Sequence, residues 1–427
     1  MTIDCQVTRL GNGIRAATSR LPHVGSVAVG LWVGAGSRHE SSGLAGISHF
    51  IEHLLFKGTK RLSARQLSEA IEGRGGTCNA CTQEEQTCYY ARTGEAQADR
   101  ALEILADMYR HPRFAAADIE KERGVIVEEI MMYRDQPEQV VQDMLCEALW
   151  RGHDLGRPLI GTPETLKTMT RRQLLAYKAR TYAPANTIFL CAGAVHHGDF
   201  VRHIRRLTRG LAAGRKPAWT RVLAASPQTR LSLKAKAIEQ TQMALGFRIF
   251  GRFDRRRYAL KLLSVILGEN MSSRLFQRIR ERNGLAYAIS SATHLFADTG
   301  ALVISAGLDR RRHGRALELI AAELKRLKEE PVRGRELARA KEYVIGHLNL
   351  NLETPYGHLL WLGDNLLNYG NPIAPDEVIG ALQAVQPRDI QSLAGAIFRA
   401  SKASLAWLSP EAGRAERARM GALLNAL

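Results

Sequence analysis

In the segment GLAGISHFIEHLLFKGT, residues 43–59, His49, Glu52 and His53 stand in an H-x-x-E-H pattern. On a helix, positions i, i+3 and i+4 share one face. Two imidazoles a turn apart could then bind one zinc ion, with the Glu52 carboxylate beside them to take a proton from water on the metal. Ile47, Phe50, Ile51, Leu54 and Leu55 fill the rest of the segment and predict a largely buried helix. A structural helix whose histidines donate to backbone carbonyls would carry the same five residues. A third ligand separates the two readings.

The candidate lies in DIEKERGVIVEEIMMY, where Glu122 and Glu129 are seven residues apart and return to one helix face after two turns. Ile119, Val125, Ile126 and Tyr133 are assigned to that face too. Two carboxylates on an otherwise apolar stripe are expensive to bury unless a cation or hydrogen bonds compensate them. Glu128 shares its face with Lys121 and reads as solvated, so Glu129 is the expected third ligand. Glu122 is the expected accessory carboxylate that orients a ligand or water; a surface ion pair with Arg123 or Lys121 is the alternative.

Three segments recur at nearly one offset. VAVGLWV at 27–33 matches MALGFRI at 243–249, alternating as a half-buried strand does. RALEILA at 100–106 matches RALELIA at 315–321, and TRRQLLAYKARTYAPAN at 170–186 matches QPRDIQSLAGAIFRASK at 386–402, both pairs helical in pattern. The offsets are 216, 215 and 216. Such a repeat predicts two similar domains, residues 1–213 and 227–427, joined near 214–226. Strands cluster early and late in each copy with helices between, which predicts an α+β fold of two homologous domains, each a mainly antiparallel sheet faced by helices.

The repeat is also an internal control. Sliding the first copy onto the second sets Val265, Gly268 and Glu269 opposite His49, Glu52 and His53, and Leu348 opposite Glu129. The second copy cannot hold the metal. Features of the scaffold as such would have been kept in both copies, so their confinement to one points to function.

The chain has 427 residues, 45% hydrophobic and 24% charged, a balance that excludes a fibre or a mostly disordered chain. No apolar run approaches the length of about 20 residues needed to span a membrane. The first residues, MTIDCQVTRLGNG, lack the apolar stretch of a secretory signal, so a cytoplasmic location is expected. Six cysteines are too sparse for a disulfide framework and suit a reducing compartment; Cys78 and Cys81 form a CNAC that reads as ordinary strand. His196 and His197, after IFLCAGAV, read as loop residues.

The net charge of +18 is uneven, because residues 1–200 hold 23 basic and 23 acidic side chains and residues 201–427 hold 37 and 19. The basic clusters (Arg202, Arg205, Arg206 and Arg209; Arg255–Arg257; Arg310–Arg312) lack the interleaved aromatics that stack bases. They read as solvated faces or as attraction for acidic partners.

With these residues in hand, the chain resembles the M16 metallopeptidases, most closely the single-chain bacterial M16B type, over essentially its whole length. The family's zinc motif is an inverted HxxEH followed about 76 residues later by a glutamate, and His53 to Glu129 is 76 residues here. The resemblance implies the M16 peptidase/LuxS-like metallohydrolase fold. It implies one zinc per chain held by His49, His53 and Glu129, with Glu52 as general base and Glu122 as supporting carboxylate. The second half resembles the family's inactive domain, whose substrate-site arginine and tyrosine fall on Arg280 and Tyr287 in RIRERNGLAYA. TCNACTQEEQTCYYA resembles the edge strand to which a peptide substrate adds, putting Asn79 and Ala80 beside the scissile bond. Relatives often carry a bulky residue where Cys81 stands and an aromatic where Gln86 stands.

The resemblance also implies a closed chamber of four domains. One chain supplies two, so a homodimer, or a heterodimer with another M16 chain, is expected, with Arg280 and Tyr287 of one subunit facing the zinc of the other. The expected function is a zinc endopeptidase acting on unstructured or small peptides, acidic ones among them. A non-catalytic subunit of the same fold and a basic nucleic-acid-binding protein are the competing readings.

Overall fold

The computed structural model describes residues 3–223 and 230–425, so the last part of the joining stretch expected at 214–226 lies outside the described residues. The described chain forms two compact units. The first takes Met1–Ile130, Arg157–Thr220 and Leu348–Asp376; the second takes Met131–Gly156, Arg221–His347 and Glu377–Leu427.

The first unit is built on six strands: β1 (Cys5–Arg9), β2 (Arg15–Arg20), β3 (Ser26–Val33), β4 (Thr77–Thr82), β5 (Thr87–Gly94) and β6 (Thr187–Gly193), in the order β1-β2-β6-β3-β5-β4. The second has β7 (Arg230–Ala235), β8 (Thr241–Ile249), β9 (Ala286–Leu295), β10 (Gly300–Leu308) and β11 (Ala403–Ser409), in the order β7-β11-β8-β10-β9. Every neighbouring pair is antiparallel except β2 with β6 and β7 with β11. Removing β1 leaves one topology written twice, the mainly antiparallel α+β architecture that the repeat predicts.

All three repeated segment pairs fold alike. VAVGLWV and MALGFRI are β3 and β8; RALEILA and RALELIA lie in the helices Ala98–Arg110 and His313–Glu329. The third pair forms the helices Arg171–Thr181 and Pro387–Ile397, each leading into a strand.

One expectation fails. β3 is not half-buried: all its residues after Ser26 are buried, so both sheet faces are covered. The outer cover is a helix from the other half of the sequence. Leu359, Leu362 and Leu366 of the helix Pro355–Tyr369 pack on Ala17, Ala28, Trp32 and Leu190. In the second unit Val141, Leu145 and Leu149 of the helix Pro137–Leu149 pack on Ala244, Ala406 and Leu408. This exchange is why the units are discontinuous in sequence. Glycines open the space for it. A Cβ at Gly30 or Gly363 would come within 2.3 or 2.4 Å of the Trp32 ring, and one at Gly246, the repeat equivalent of Gly30, within 2.9 Å of Leu149. Among the described residues no helix is long and apolar enough to cross a membrane.

Candidate metal centre

The H-x-x-E-H segment is the helix Ile47–Leu55. Ile47, Phe50, Ile51, Leu54 and Leu55 are buried in the first unit's core. At about 1.5–3 kcal/mol each they contribute on the order of 10 kcal/mol, enough to hold polar neighbours in a low-dielectric cleft. The helix start is anchored by a residue that sequence reasoning missed. Glu40, itself buried, accepts the backbone N–H of Gly46 at 2.7 Å and of Ser48 at 2.8 Å, and Gly46 takes a left-handed φ of 92°. A carboxylate on the free N–H groups of a helix start complements the dipole.

Burial pushes the Glu40 carboxyl up to about 7, against the opposing pull of Ser48, Gly46 and Arg157. Its folded value lies above the ordinary 4.5, so the ionised form is the disfavoured one in the fold. That contribution to stability is complete below pH 4.5 and is lost as pH rises through about 7. Thermal unfolding from about pH 4 to about pH 8 should therefore show a flatter loss of stability for Glu40→Gln than for the parent chain. Parallel curves would remove Glu40 from the account.

The helix Ala116–Asp135 supplies the other wall, with Ile119, Ile126 and Ile130 buried. Val125, expected on the same face, is 44% exposed: it stands four residues before Glu129, and its side chain points outward. Glu128 is exposed as expected.

The structure brings His49, His53 and Glu129 together, with one donor atom from each all within 4.8 Å of one another. Glu129 Oε2 lies 3.8 Å from His49 Nε2 and 3.6 Å from His53 Nε2, and the two rings meet edge-on at 4.6 Å. Two ligands about 2.1 Å from one tetrahedral zinc are about 3.4 Å apart. The donor set thus fits zinc in chemistry, and the two distances from Glu129 to the imidazoles come within a few tenths of an ångström of that spacing. Burial, helped by neighbouring His53, pushes His49 down to about 4, which keeps its imidazole neutral with a lone pair to give.

Glu122 is only 1% exposed. Its Oε2 is 3.3 Å from His53 Nδ1, and its Oε1 is 2.9 Å from Lys57 Nζ. The alternative surface pair with Arg123 or Lys121 is not formed: Arg123 pairs with Glu120 and donates to the carbonyls of Leu166 and Met169. Glu122 instead takes the Nδ1 side of His53, leaving Nε2 turned to Glu129. Lys57, one turn after His53, compensates the buried carboxylate.

Glu52 lies on the same helix and accepts a hydrogen bond from Thr82 Oγ1 at the end of β4. Burial raises its carboxyl above the ordinary range and Glu129 adds to this, while Thr82 and His53 oppose it. A desolvated carboxylate of this kind is a competent proton acceptor. Nothing local in the sequence marks Thr82.

β4 is the sheet edge, as expected of TCNACT. Asn79 is exposed, and its Oδ1 accepts the Ala80 N–H at 2.8 Å. Cys78 and Cys81 are free strand residues. In the second unit Arg280 and Tyr287 lie together, the guanidinium 5.5 Å from the phenol ring centroid and 4.8 Å from that of Phe276; Tyr287 is 75% exposed.

The second unit packs out the corresponding site. Val265 and Gly268 are buried in the π-wound stretch Val265–Glu269, and a Cβ at Gly268 would lie 2.6 Å from the Ser291 nitrogen of β9. Glu269 pairs with Lys261. Where the first unit keeps a cleft for two imidazoles and a carboxylate, the second lets a strand close in on the helix. His196 lies in the loop as expected, in extended backbone just before the helix, but His197 does not: it opens the helix His197–Leu207, and its ring nitrogens, bonded to Thr8 and Thr18 at 2.8 and 2.9 Å, tie the helix start to the sheet.

Two imidazoles and a distal glutamate, with the buried Glu122 behind His53, form a candidate metal centre on one of two repeated α+β units. The family model described as insulinase, peptidase family M16, matches residues 15–163, and that described as the peptidase M16 inactive domain matches 168–344. The chain is 37% identical to the uncharacterized zinc protease YmxG of Bacillus subtilis over 93% of its own length and 97% of the relative's. It is 38% identical to an uncharacterized zinc protease of Mycobacterium tuberculosis over 91% and 89%. The fold matches a protease from Helicobacter pylori with a TM-score of 0.90 at 23% identity, over 96% of this chain and all of that one. The chain belongs to peptidase family M16.

Proposed function

We propose that this protein is a zinc-dependent endopeptidase that hydrolyses peptide bonds of unstructured or small peptides. The observation that carries the reading is the convergence of His49, His53 and Glu129 beside the half-buried Glu52, in one copy of the repeat alone among the described residues. Relatives that bear the name zinc protease support the choice of metal.

His49, His53 and Glu129 would hold the ion, one per chain. Bound zinc supplies Lewis acidity at the reacting carbonyl and water. Glu52 takes a proton from water and later returns it to the leaving amine, a task suited to a carboxyl already raised by burial. Thr82 orients Glu52, and Glu122 orients His53. The substrate adds to the free edge of β4, where its backbone replaces the Asn79 side chain on the Ala80 N–H. Tyr287 donates to the developing oxyanion and Arg280 holds a substrate carbonyl. These two act across a chamber completed by a second copy of the chain or another M16 chain, in the cytoplasm.

The test is a purified chain and an internally quenched, unstructured peptide. Cleavage is expected with zinc, lost with chelator and restored by added zinc. Stoichiometric zinc without cleavage of any of a diverse peptide set would favour the reading as a non-catalytic subunit.

A further inference from the structure

We propose that the second unit carries a binding cleft for acidic peptide segments, which names a substrate class and rests on the peptidase reading for its meaning. The cleft has a volume of about 1120 Å³, and eight of its fifteen lining residues are arginines, two are glutamates and none is aromatic. Pockets for small molecules run to about 300–1,000 Å³, so this one suits a stretch of polymer.

Its walls come from the helical stretch 274–281, the helix His313–Glu329 and the start of the helix Gly334–Asn351. Glu323, 2% exposed, gathers three guanidiniums: it pairs with Arg278, lies 3.2 Å from Arg326 and 3.9 Å from Arg274. Arg274 also places both arms of its fork on Glu336 at 2.8 Å. Those two carboxylates are used up in holding the wall.

Arg282, Arg333, Arg335 and Arg339 line the same cleft and are exposed, and no carboxylate of the described residues pairs with them. Eight guanidiniums against two carboxylates leave a lining charge of +6, and Glu318 on Arg315 and Glu330 on Arg326, just outside the lining, offset two of these. A concave surface of one sign concentrates field and counter-ions, and its own repulsion is relieved by a ligand of opposite charge. The planar fork of arginine matches a carboxylate with two parallel hydrogen bonds. The absence of an aromatic side chain removes the platform on which nucleic-acid bases stack. Arg280, next to Tyr287, stands two residues from both Arg278 and Arg282, so the cleft wall and the pair assigned to substrate share one helical stretch. Part of the basic excess of residues 201–427 thereby has a place and a ligand.

The experiment measures binding without turnover, by fluorescence anisotropy on full-length Glu52→Gln. The probes are a labelled oligo-glutamate peptide, an uncharged oligo-glycine-serine peptide of the same length, and single- and double-stranded DNA. The acidic peptide should bind at least about tenfold tighter than the uncharged one, weaken as salt is raised from about 50 to 500 mM, and weaken at least about tenfold with Arg333→Glu, Arg335→Glu and Arg339→Glu combined. These three are exposed, and Arg333→Gln, Arg335→Gln, Arg339→Gln is a milder second variant that should fall between. Equal binding of acidic and uncharged peptides, or unchanged affinity in both variants, overturns the proposal. So does tighter binding of either DNA, which would make the cleft a nucleic-acid site. No cleavage of the quenched peptide by the parent chain with zinc present, with retained oligo-glutamate binding, would fault the peptidase reading and leave the cleft standing.

Discussion

Glu52→Gln should lower turnover of an unstructured peptide by at least about 10³-fold while one zinc stays bound per chain. The carboxylate belongs to the helix that carries both imidazoles, but it is not one of the three groups whose donor atoms converge. Its near neighbours include the Thr82 hydroxyl, whose hydrogen bond it accepts, and Glu129, which together with burial raises its affinity for a proton. Glutamine has the same shape and can still receive Thr82, yet it has no proton affinity of use near neutrality. Zinc content by atomic absorption and kcat on a quenched peptide separate the two roles. Retained turnover with full zinc would take the proton-transfer role away from Glu52, and lost zinc would make it a ligand.

Glu129→Gln should release the metal, with activity falling in step. The long helix contributes this one carboxylate oxygen, 3.6 and 3.8 Å from the two imidazole Nε2 atoms. An amide keeps the shape but brings no negative charge to offset the two on the ion. Glu122→Gln should weaken zinc binding by about 10–100-fold, as loss of a group that orients a ligand does, because His53 Nδ1 loses its anionic partner and Lys57 its counter-charge. Glu128→Gln, exposed one residue away, should leave zinc unchanged. Competition against a chromogenic chelator orders the four proteins. If Glu128→Gln loses zinc and Glu129→Gln keeps it, the helix face has been assigned wrongly.

The residues that converge as candidate ligands were legible in the chain because their place on a helix face depends on short-range periodicity. His49 and His53 share a helix face by their spacing, and Glu122 and Glu129 do so by theirs. Glu40, Lys57 and Thr82 were missed for a common reason: each acts on a group that folding alone brings near, a helix start, a buried carboxylate and a neighbouring edge strand. Val125 shows the limit of face-counting, since seven residues cover nearly two turns and only an observed packing surface says where a stripe ends. The half-buried reading of β3 failed similarly, because its outer face is covered by a helix more than 300 residues away in sequence, Pro355–Tyr369.

The duplication, the α+β class, the one-sided metal motif and the skewed charge belong to the sequence alone, because repeats, alternation and residue types are properties of neighbours along a chain. The tertiary structure decided the rest: which helix covers which sheet, how a strand fills in the second copy's site, which cations compensate Glu122, and where eight arginines meet. Those outcomes follow from burial and close packing between distant segments, and no local pattern encodes the energy of a contact whose partner lies hundreds of residues away.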